Sequence, residues 1–286
     1  MMDACALETP GKINLFLEIK GKRADLRHEI LTLFFPVHAL CDRVELYFGG
    51  ESVRVRCSGP GVPLDRDNLA LKAAEVFFEA AGVPCPGLEI RLEKRLPVAG
   101  GMGGGSSDAG AVLRLLQQNS GRRLADETLA RIALSLGSDV PFFLNPVPCV
   151  GRGGGELLTE VELPEHLPLL LIPGVFPISA AWGYRHWNEV PQTNKSNLDE
   201  LLKLLRQGEF GEAGQLLRND LEPAALRKFP LLECCSELFR ESGGAPLMSG
   251  SGSTLFGLYP DFPARDRAFD FLQSELKKYN AALIKP

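Results

Sequence analysis

Residues 97–107 read Pro-Val-Ala-Gly-Gly-Met-Gly-Gly-Gly-Ser-Ser, and this stretch decides how the rest of the sequence is interpreted. Five glycines stand within six consecutive residues, after Leu88–Leu92, which alternates as a strand does. The apolar spacing that follows predicts a helix opening at Ser106 or Ser107 and running to about Gln118. Glycines let backbone N–H groups approach a phosphate closely, and a helix N-terminus attracts negative charge. The stretch therefore predicts a phosphate-binding loop.

Two common nucleotide-binding motifs do not describe this loop. It contains no Gly-x-x-x-x-Gly-Lys-Ser/Thr, so it is not a Walker P-loop. A Gly-x-Gly-x-x-Gly pattern fails as well, because Ser106 and Asp108 stand where its last glycine belongs. The structural alternative is a flexible glycine turn, and the helix start directly after the loop favours phosphate binding over it.

Length and composition bound the class of protein. The chain has 286 residues, 45% of them hydrophobic, and a formal net charge of −5, which predicts a globular protein of two domains and not a nucleic-acid binder. Its apolar runs are too short to span a membrane, and the first ten residues do not resemble a signal peptide. Seven scattered cysteines without a Cys-x-x-Cys pair indicate reduced thiols, so we expect a cytoplasmic protein.

Turn and cap signals predict a mixed α+β fold. Val44–Phe48 and Val53–Cys57 are separated by Gly49-Gly50, which suggests a hairpin. Asn68 and Asp126 are predicted to cap helices. Further helices are expected near Ser196–Arg206, Ala213–Leu217 and Leu231–Glu241, and a strand-turn-strand over Ala245–Leu258.

The segment between residues 145 and 177 is rich in proline, and Gly151–Gly155 is almost all glycine. We interpret it as a loose junction between domains. The predicted domains are residues 1–155, which would bind ATP, and residues 156–286.

Two further segments complete a pattern with the glycine loop. The first is Thr9-Pro-Gly-Lys-Ile-Asn-Leu-Phe-Leu17, and the last is Met248-Ser-Gly-Ser-Gly-Ser-Thr-Leu-Phe-Gly257. In this order and spacing the three segments resemble the galactokinase, homoserine kinase, mevalonate kinase and phosphomevalonate kinase (GHMP) superfamily. The resemblance implies two α+β domains with the active site in the cleft between them.

Shorter segments narrow the resemblance. They are similar to the branch of the superfamily that phosphorylates a cytidine-diphosphate-linked methylerythritol in the non-mevalonate isoprenoid pathway. The segments that carry this likeness are Arg23-Ala-Asp-Leu-Arg-His28, Asn68-Leu69, Lys94-Arg-Leu-Pro97, Gly137-Ser-Asp-Val-Pro-Phe142 and Asn219-Asp-Leu-Glu222.

The resemblance assigns the chemistry to Lys12 and Asp139. Asp139 would accept the proton of the substrate hydroxyl, whereas its structural alternative is to cap the next turn. Lys12 would stabilise the charge on Asp139 and on the transferring phosphoryl group, and its alternative is a solvated strand end. Asn14 lies two residues beyond Lys12, hence on the same strand face, and would position the hydroxyl.

The resemblance also assigns the ligands. ATP would be held by Asn68 and by the loop residues Pro97, Val98, Ala99, Gly100, Gly101, Met102, Gly103, Gly104, Gly105, Ser106 and Ser107. Magnesium is implied by the chemistry, with Ser107 as the candidate contact. The substrate would be held by Asn14, Asp139 and His28, although a structural role for His28 stays open.

Substrate recognition is where the sequence departs from the family. Leu26-Arg27 replaces Gly-Tyr before His28, so Arg27, Trp182 or Tyr184 would have to stack on the base. This departure is the best support for one alternative, a kinase of the superfamily acting on another small alcohol. A rival from another class is a non-catalytic nucleotide sensor on the same scaffold. Retention of Lys12 and Asp139 favours an enzyme over a sensor.

Overall fold

The computed structural model describes residues 4–24, 28–59, 61–174, 176–187, 197–278 and 281–286. Two compact units divide the chain. The first is formed by Met1–Gly11, Leu40–Val98 and Gly103–Pro146, and the second by Lys12–Ala39, Ala99–Met102 and Val147–Pro286. These units do not coincide with the predicted domains, because strands β1 (Ala4–Lys22) and β2 (His28–Phe48) each supply residues to both. The boundary near residue 155 stays a prediction.

In the first unit, strand β4 (Leu88–Glu93) lies between β2 and β3 (Val53–Ser58). It runs antiparallel to β2 and parallel to β3. The predicted hairpin between β2 and β3 is therefore wrong: Gly49 N–H donates to the carbonyl of Gly87, and the glycine turn leads past the incoming β4. A parallel pair needs a crossover connection, which helix α1 between β3 and β4 supplies.

Three helices and a short 3-10 helix complete the first unit. They are α1 (Leu69–Ala80), α2 (Gly104–Asn119), α3 (Asp126–Leu136) and the 3-10 helix Val140–Leu144. Helix α2 begins two residues before the predicted Ser106, so the glycines themselves form its first turn. Asp126 is the first residue of α3, and Ala125 occupies the cap position predicted for it. Apolar side chains of α1, α2 and α3 pack with those of β2 and β4 in one core.

The second unit contains two groups of strands. β5 (Cys149–Arg152) pairs with β2 and β6 (Leu157–Glu160), and β8 (Arg218–Asn219) pairs in parallel with β1. β10 (Leu255–Leu258) lies between β7 (Leu169–Ile172) and β9 (Ala245–Met248), antiparallel to both. The interpretation of residues 145–177 as loose is wrong, because β5, β6 and β7 are short strands between the prolines and glycines.

The helices of the second unit are α4 (Ala180–His186), α5 (Leu198–Gln207), α6 (Phe210–Ala213), α7 (Glu222–Lys228), α8 (Pro230–Glu241) and α9 (Phe262–Lys277). Helices α5 and α8 match predictions, although the predicted start at Ser196 lies outside the described residues. The predicted helix Ala213–Leu217 is instead the end of α6 and a 3-10 turn, Gly214–Leu216. Over the described part of the chain, no helix combines the length and apolarity that crossing a membrane requires.

Candidate active site

Lys12 and Asn14 form a buried pair on β1. Their alternation places both on one face of the strand, where they are only 4% and 2% exposed. Lys12 Nζ donates to Asn14 Oδ1 at 2.7 Å and to the carbonyl of Gly101 at 3.1 Å. Asn14 Nδ2 donates to Thr32 Oγ1 at 2.8 Å, which keeps its oxygen turned toward the lysine. The alternative of a solvated lysine at a strand end does not describe this site.

The turn formed by residues 249–252 contacts the same pair. Ser249 Oγ donates to the carbonyl of Gly101 at 2.9 Å and accepts from Asn14 N at 3.3 Å. A Cβ added at Gly250 would lie 3.3 Å from both Lys12 Nζ and Asn14 Oδ1. The second unit thus brings residues of the first, middle and last sequence segments into contact.

The first half of the glycine loop, Ala99–Met102, is fixed by its backbone carbonyls. They accept from the N–H groups of Ile178 (3.3 Å, to Ala99), Thr254 (3.0 Å, to Gly100) and Lys12 (3.0 Å, to Met102). Gly101 has a φ of +82°, and a Cβ there would lie 2.1 Å from the carbonyl oxygen of Ser249. Only glycine fits this position.

The second half of the loop is the first turn of α2. Gly103 precedes the helix with a φ of +72° and offers no capping side chain. The first N–H groups of a helix have no partner within it, so this turn presents donors to an anion. Gly105 is exposed, Gly104 and Ser106 are half-buried, and Pro97 and Val98 precede the turn.

The side chains of Ser107 and Asn68 already form hydrogen bonds within the protein. Ser107 Oγ is fully buried, donates to the carbonyl of Pro10 at 2.7 Å and lies 2.7 Å from Thr9 Oγ1. The structure therefore does not support Ser107 as a magnesium contact. Asn68 caps α1 as predicted: Oδ1 accepts from Ala70 N at 2.8 Å, and Nδ2 donates to the carbonyl of Pro63 at 2.7 Å.

A buried charge cluster lies beside the first turn of α2, and sequence reasoning missed it. Lys94 Nζ binds Asp42 and, at 2.7 Å, Asp108 Oδ2. A Cβ added at Gly104 would lie 3.4 Å from that ammonium. Burial raises the pKa of Asp108 to about 7, opposed by the positive charge of Lys94. Asp42 Oδ1 also accepts from the N–H groups of residues 95 and 96, which anchors the chain leading into the loop.

Asp139 lies in the first unit, directly before the 3-10 helix Val140–Leu144. It occupies the cap position with a half-buried side chain, yet that side chain makes no capping hydrogen bond. The capping alternative is therefore not what the structure shows. The 3-10 helix packs closely on α2, where a Cβ at Gly110 would lie 2.5 Å from Phe143 Cβ.

His28 lies in an aromatic group of the second unit. Its ring stacks on Tyr184 with centroids 4.8 Å apart, and Trp187 meets it edge-on at 6.1 Å. Among the described residues, none is a hydrogen-bond partner of the buried His28 Nε2. Burial, and then the charge of Lys22, lower the pKa of His28.

The other aromatic candidate, Trp182, stacks on His186 at 4.6 Å instead. Leu26 and Arg27 lie outside the described residues. Trp187 was missed from the sequence, because nothing in its local pattern distinguishes it from a core residue.

A glycine-rich helix start and a buried lysine are features of the kind that kinases use for ATP phosphates. Comparison with known families agrees with this geometry. The family model described as GHMP kinases N terminal domain matches residues 68–145, and the one described as GHMP kinases C terminal matches residues 201–278. These matches define the class of the protein: it is an ATP-using kinase of the GHMP type.

Full-length relatives narrow the class. A 4-diphosphocytidyl-2-C-methyl-D-erythritol kinase of Syntrophotalea carbinolica is 38% identical over 97% of both chains. One of Anaeromyxobacter sp. (strain K) is 42% identical over 88% of this chain and 79% of its own. The chain therefore belongs to the 4-diphosphocytidyl-2-C-methyl-D-erythritol kinase family.

Solved structures agree with this assignment. A crystal structure of a 4-(cytidine 5'-diphospho)-2C-methyl-D-erythritol kinase is 34% identical, with a TM-score of 0.78 over 99% of this chain and all of the other. A homoserine kinase from Cytophaga hutchinsonii has the same TM-score at 18% identity over 100% of this chain and 95% of its own, and so shares the fold alone.

Proposed function

We propose that this protein transfers the γ-phosphoryl group of ATP to the 2-hydroxyl of 4-diphosphocytidyl-2-C-methyl-D-erythritol, giving the 2-phosphate and ADP for isoprenoid precursor synthesis. The observation that carries the proposal is 38% identity to a kinase of that name over 97% of both chains. The free thiols of all seven cysteines suit the reducing cytoplasm, where we place the reaction.

Lys12 and Asn14 supply the charge and the orientation in this proposal. The ammonium of Lys12 is directed by Asn14 Oδ1 and the Gly101 carbonyl, so it is preorganised rather than solvated. A preorganised cation stabilises charge that develops on phosphoryl oxygens without reorganising during the reaction. Asn14 orients the acceptor hydroxyl.

Asp139 is the proposed general base. It would accept the proton of the hydroxyl as the oxygen–phosphorus bond forms, while ADP leaves with the electrons of the broken bond. Its side chain is half-buried directly before the 3-10 helix Val140–Leu144, in the segment that carries the likeness to the family.

The glycine loop is the proposed phosphate site. The uncapped first turn of α2, with Gly105 exposed, offers backbone donors of the kind that bind anions. Among the described residues no three acidic, histidine or cysteine side chains gather into a metal-binding group. Magnesium would accordingly be held by the phosphate oxygens of ATP, where it neutralises their charge.

His28 and Tyr184 are the proposed contacts for the cytosine. Within the part of the chain that the structure describes, the buried Nε2 of His28 has no hydrogen-bond partner, and a group of the base would supply one. At a centroid separation of 4.8 Å the two rings leave no space between them for a base. The base would therefore stack on an outer face of the pair, or separate the rings.

A coupled ADP-release assay tests the proposal. The panel contains 4-diphosphocytidyl-2-C-methyl-D-erythritol, 2-C-methyl-D-erythritol 4-phosphate, homoserine and mevalonate, with Asp139→Asn as the inactive control. We expect turnover on the cytidyl substrate and little on the others. Preference for another alcohol would favour the second candidate, a different small-alcohol kinase, which the replacement of Gly-Tyr by Leu26-Arg27 supports. ATP binding without turnover on any alcohol would instead indicate a sensor.

A further inference from the structure

Asn219, at the end of β8, is a buried amide that binds backbone on both of its polar atoms. Nδ2 donates to the carbonyls of Met248 at 2.6 Å and Gly250 at 2.7 Å. Oδ1 accepts from Leu221 N at 3.0 Å, and the residue is 4% exposed. Only a carboxamide offers two donors and an acceptor in this arrangement. Asn219 therefore holds the Met248–Gly250 segment at two points.

The strand that contains Asn219, β8, is hydrogen-bonded to β1, the strand that carries Lys12. β8 pairs in parallel with β1, and Asn219 stands opposite Leu17 in the register. Glu222, three residues on, accepts from Met248 N at 2.8 Å. The backbone N–H and C=O groups of Met248 are thus both hydrogen-bonded to the segment Asn219–Glu222.

The same segment also contacts the candidate active site. Ser249 Oγ bridges Asn14 N and the Gly101 carbonyl, as described above. A Cβ added at Gly250 would lie 3.3 Å from Lys12 Nζ, so the backbone of the turn lies close to the lysine. The two hydrogen bonds from Asn219 hold this segment to β8 and oppose its withdrawal from Lys12.

We propose that Asn219 is a positioning residue for phosphoryl transfer, which acts on Lys12 through the turn 249–252. The inference rests on the proposed function, since it assumes that Lys12 takes part in the transfer. Loss of the Asn219 bonds lets the turn retreat, and Lys12, Asn14 and the Gly101 carbonyl lose a shared neighbour. A small misplacement of groups around a reacting phosphate lowers the rate much more than it weakens binding.

The main test is Asn219→Asp, which keeps the shape and the acceptor but replaces both donated hydrogen bonds by oxygen facing oxygen. We expect kcat to fall roughly 10- to 100-fold while KM for ATP stays within about twofold. Gln117→Glu is the matched control, because Gln117 makes the same kind of paired contact with Leu124, at 2.7 and 2.9 Å, on α2. It should lower the melting temperature without lowering kcat.

A double-mutant cycle with Ser249→Ala separates positioning from simple stabilisation. If Asn219 acts through the turn, the double variant should be little slower than the slower single variant, because the two residues share one effect. Independent, multiplicative losses in kcat would overturn the inference, as would an unchanged kcat in a folded Asn219→Asp.

Two provisions keep the result decisive. Should Asn219→Asp fail to fold, Asn219→Ser, which retains one donor, takes its place in the cycle. The cycle is run with whichever alcohol of the panel the wild type phosphorylates, so an error in the proposed substrate shows in the wild type and not in the coupling.

Discussion

Glu222 provides a test of how burial controls stability in the second unit. Burial raises the pKa of its carboxyl to about 7 from an ordinary 4.5, although the hydrogen bond from Met248 N acts in the opposite direction. Between these values the folded protein retains a proton that the unfolded chain releases. The free energy of unfolding therefore falls as pH rises through this window and levels off above it. At 1.36 kcal/mol per pKa unit, the loss is at most about 3 kcal/mol.

Glu222→Gln removes this titration while keeping a carbonyl oxygen for Met248 N. Relative to the wild type, the variant should gain up to about 3 kcal/mol in free energy of unfolding between about pH 5 and pH 8. Urea unfolding at several pH values in that range measures the difference. Glu200→Gln, at an exposed position on α5 that pairs with Lys203, is the control and should follow the wild-type pH dependence. Parallel curves for Glu222→Gln and the wild type would refute the reasoning.

The remaining predictions concern the active site. Asp139→Asn should lower the single-turnover rate by roughly 10²–10⁴-fold with ATP affinity retained; a wild-type rate would remove this residue from the mechanism. Lys12→Met should also slow transfer, and combined with Asp139→Asn it should add little in single-turnover kinetics. Tyr184→Ala should raise KM for the cytidyl substrate alone and Trp182→Ala should not, because Tyr184 stacks on His28 whereas Trp182 stacks on His186; equal effects would contradict this. Gly105→Val should weaken ATP binding about tenfold or more by calorimetry at unchanged melting temperature, since a Cβ added at Gly105 would lie at an ordinary contact distance, 3.7 Å, from a Leu69 methyl.

Local signals in the sequence predicted elements whose cause is local. The cap of Asn68 and the strand Leu88–Leu92 follow from one residue or one alternation, and the structure confirms both. The wrongly predicted hairpin at Gly49-Gly50 shows what local signals do not predict. The position of β4 between β2 and β3 depends on a crossover connection and a shared core. Pairing partners far apart in sequence are set by packing that a local pattern does not contain.

Lys12 and Lys94, the two lysines near the glycine loop, show that local sequence patterns also fail to predict tertiary contacts in the candidate site. Lys12 was identified through its sequence segment, and its burial beside Asn14 is consistent with the proposed role. Lys94 also lies in a recognisable segment, but its charge is taken up by Asp42 and Asp108, so it supports the loop rather than the chemistry. Which carboxylates meet which lysine is a tertiary property that the sequence alone did not give.

The hydrogen bonds of its carbonyl groups support the proposed role of the glycine loop as a phosphate site. A phosphate needs N–H donors and is repelled by carbonyl oxygens, and a glycine-rich backbone carries equal numbers of both. Here the carbonyls of Ala99–Met102 each accept a hydrogen bond within the second unit, and that of Gly103 accepts from Ser107 N inside α2. The five consecutive carbonyl oxygens of residues 99–103 are therefore hydrogen-bonded, while the first N–H groups of α2 have no partner in their own helix. In the proposed site, the absence of Cβ atoms would permit a close approach of the phosphate, and the hydrogen-bonded carbonyls would leave the N–H donors to favour a negative charge.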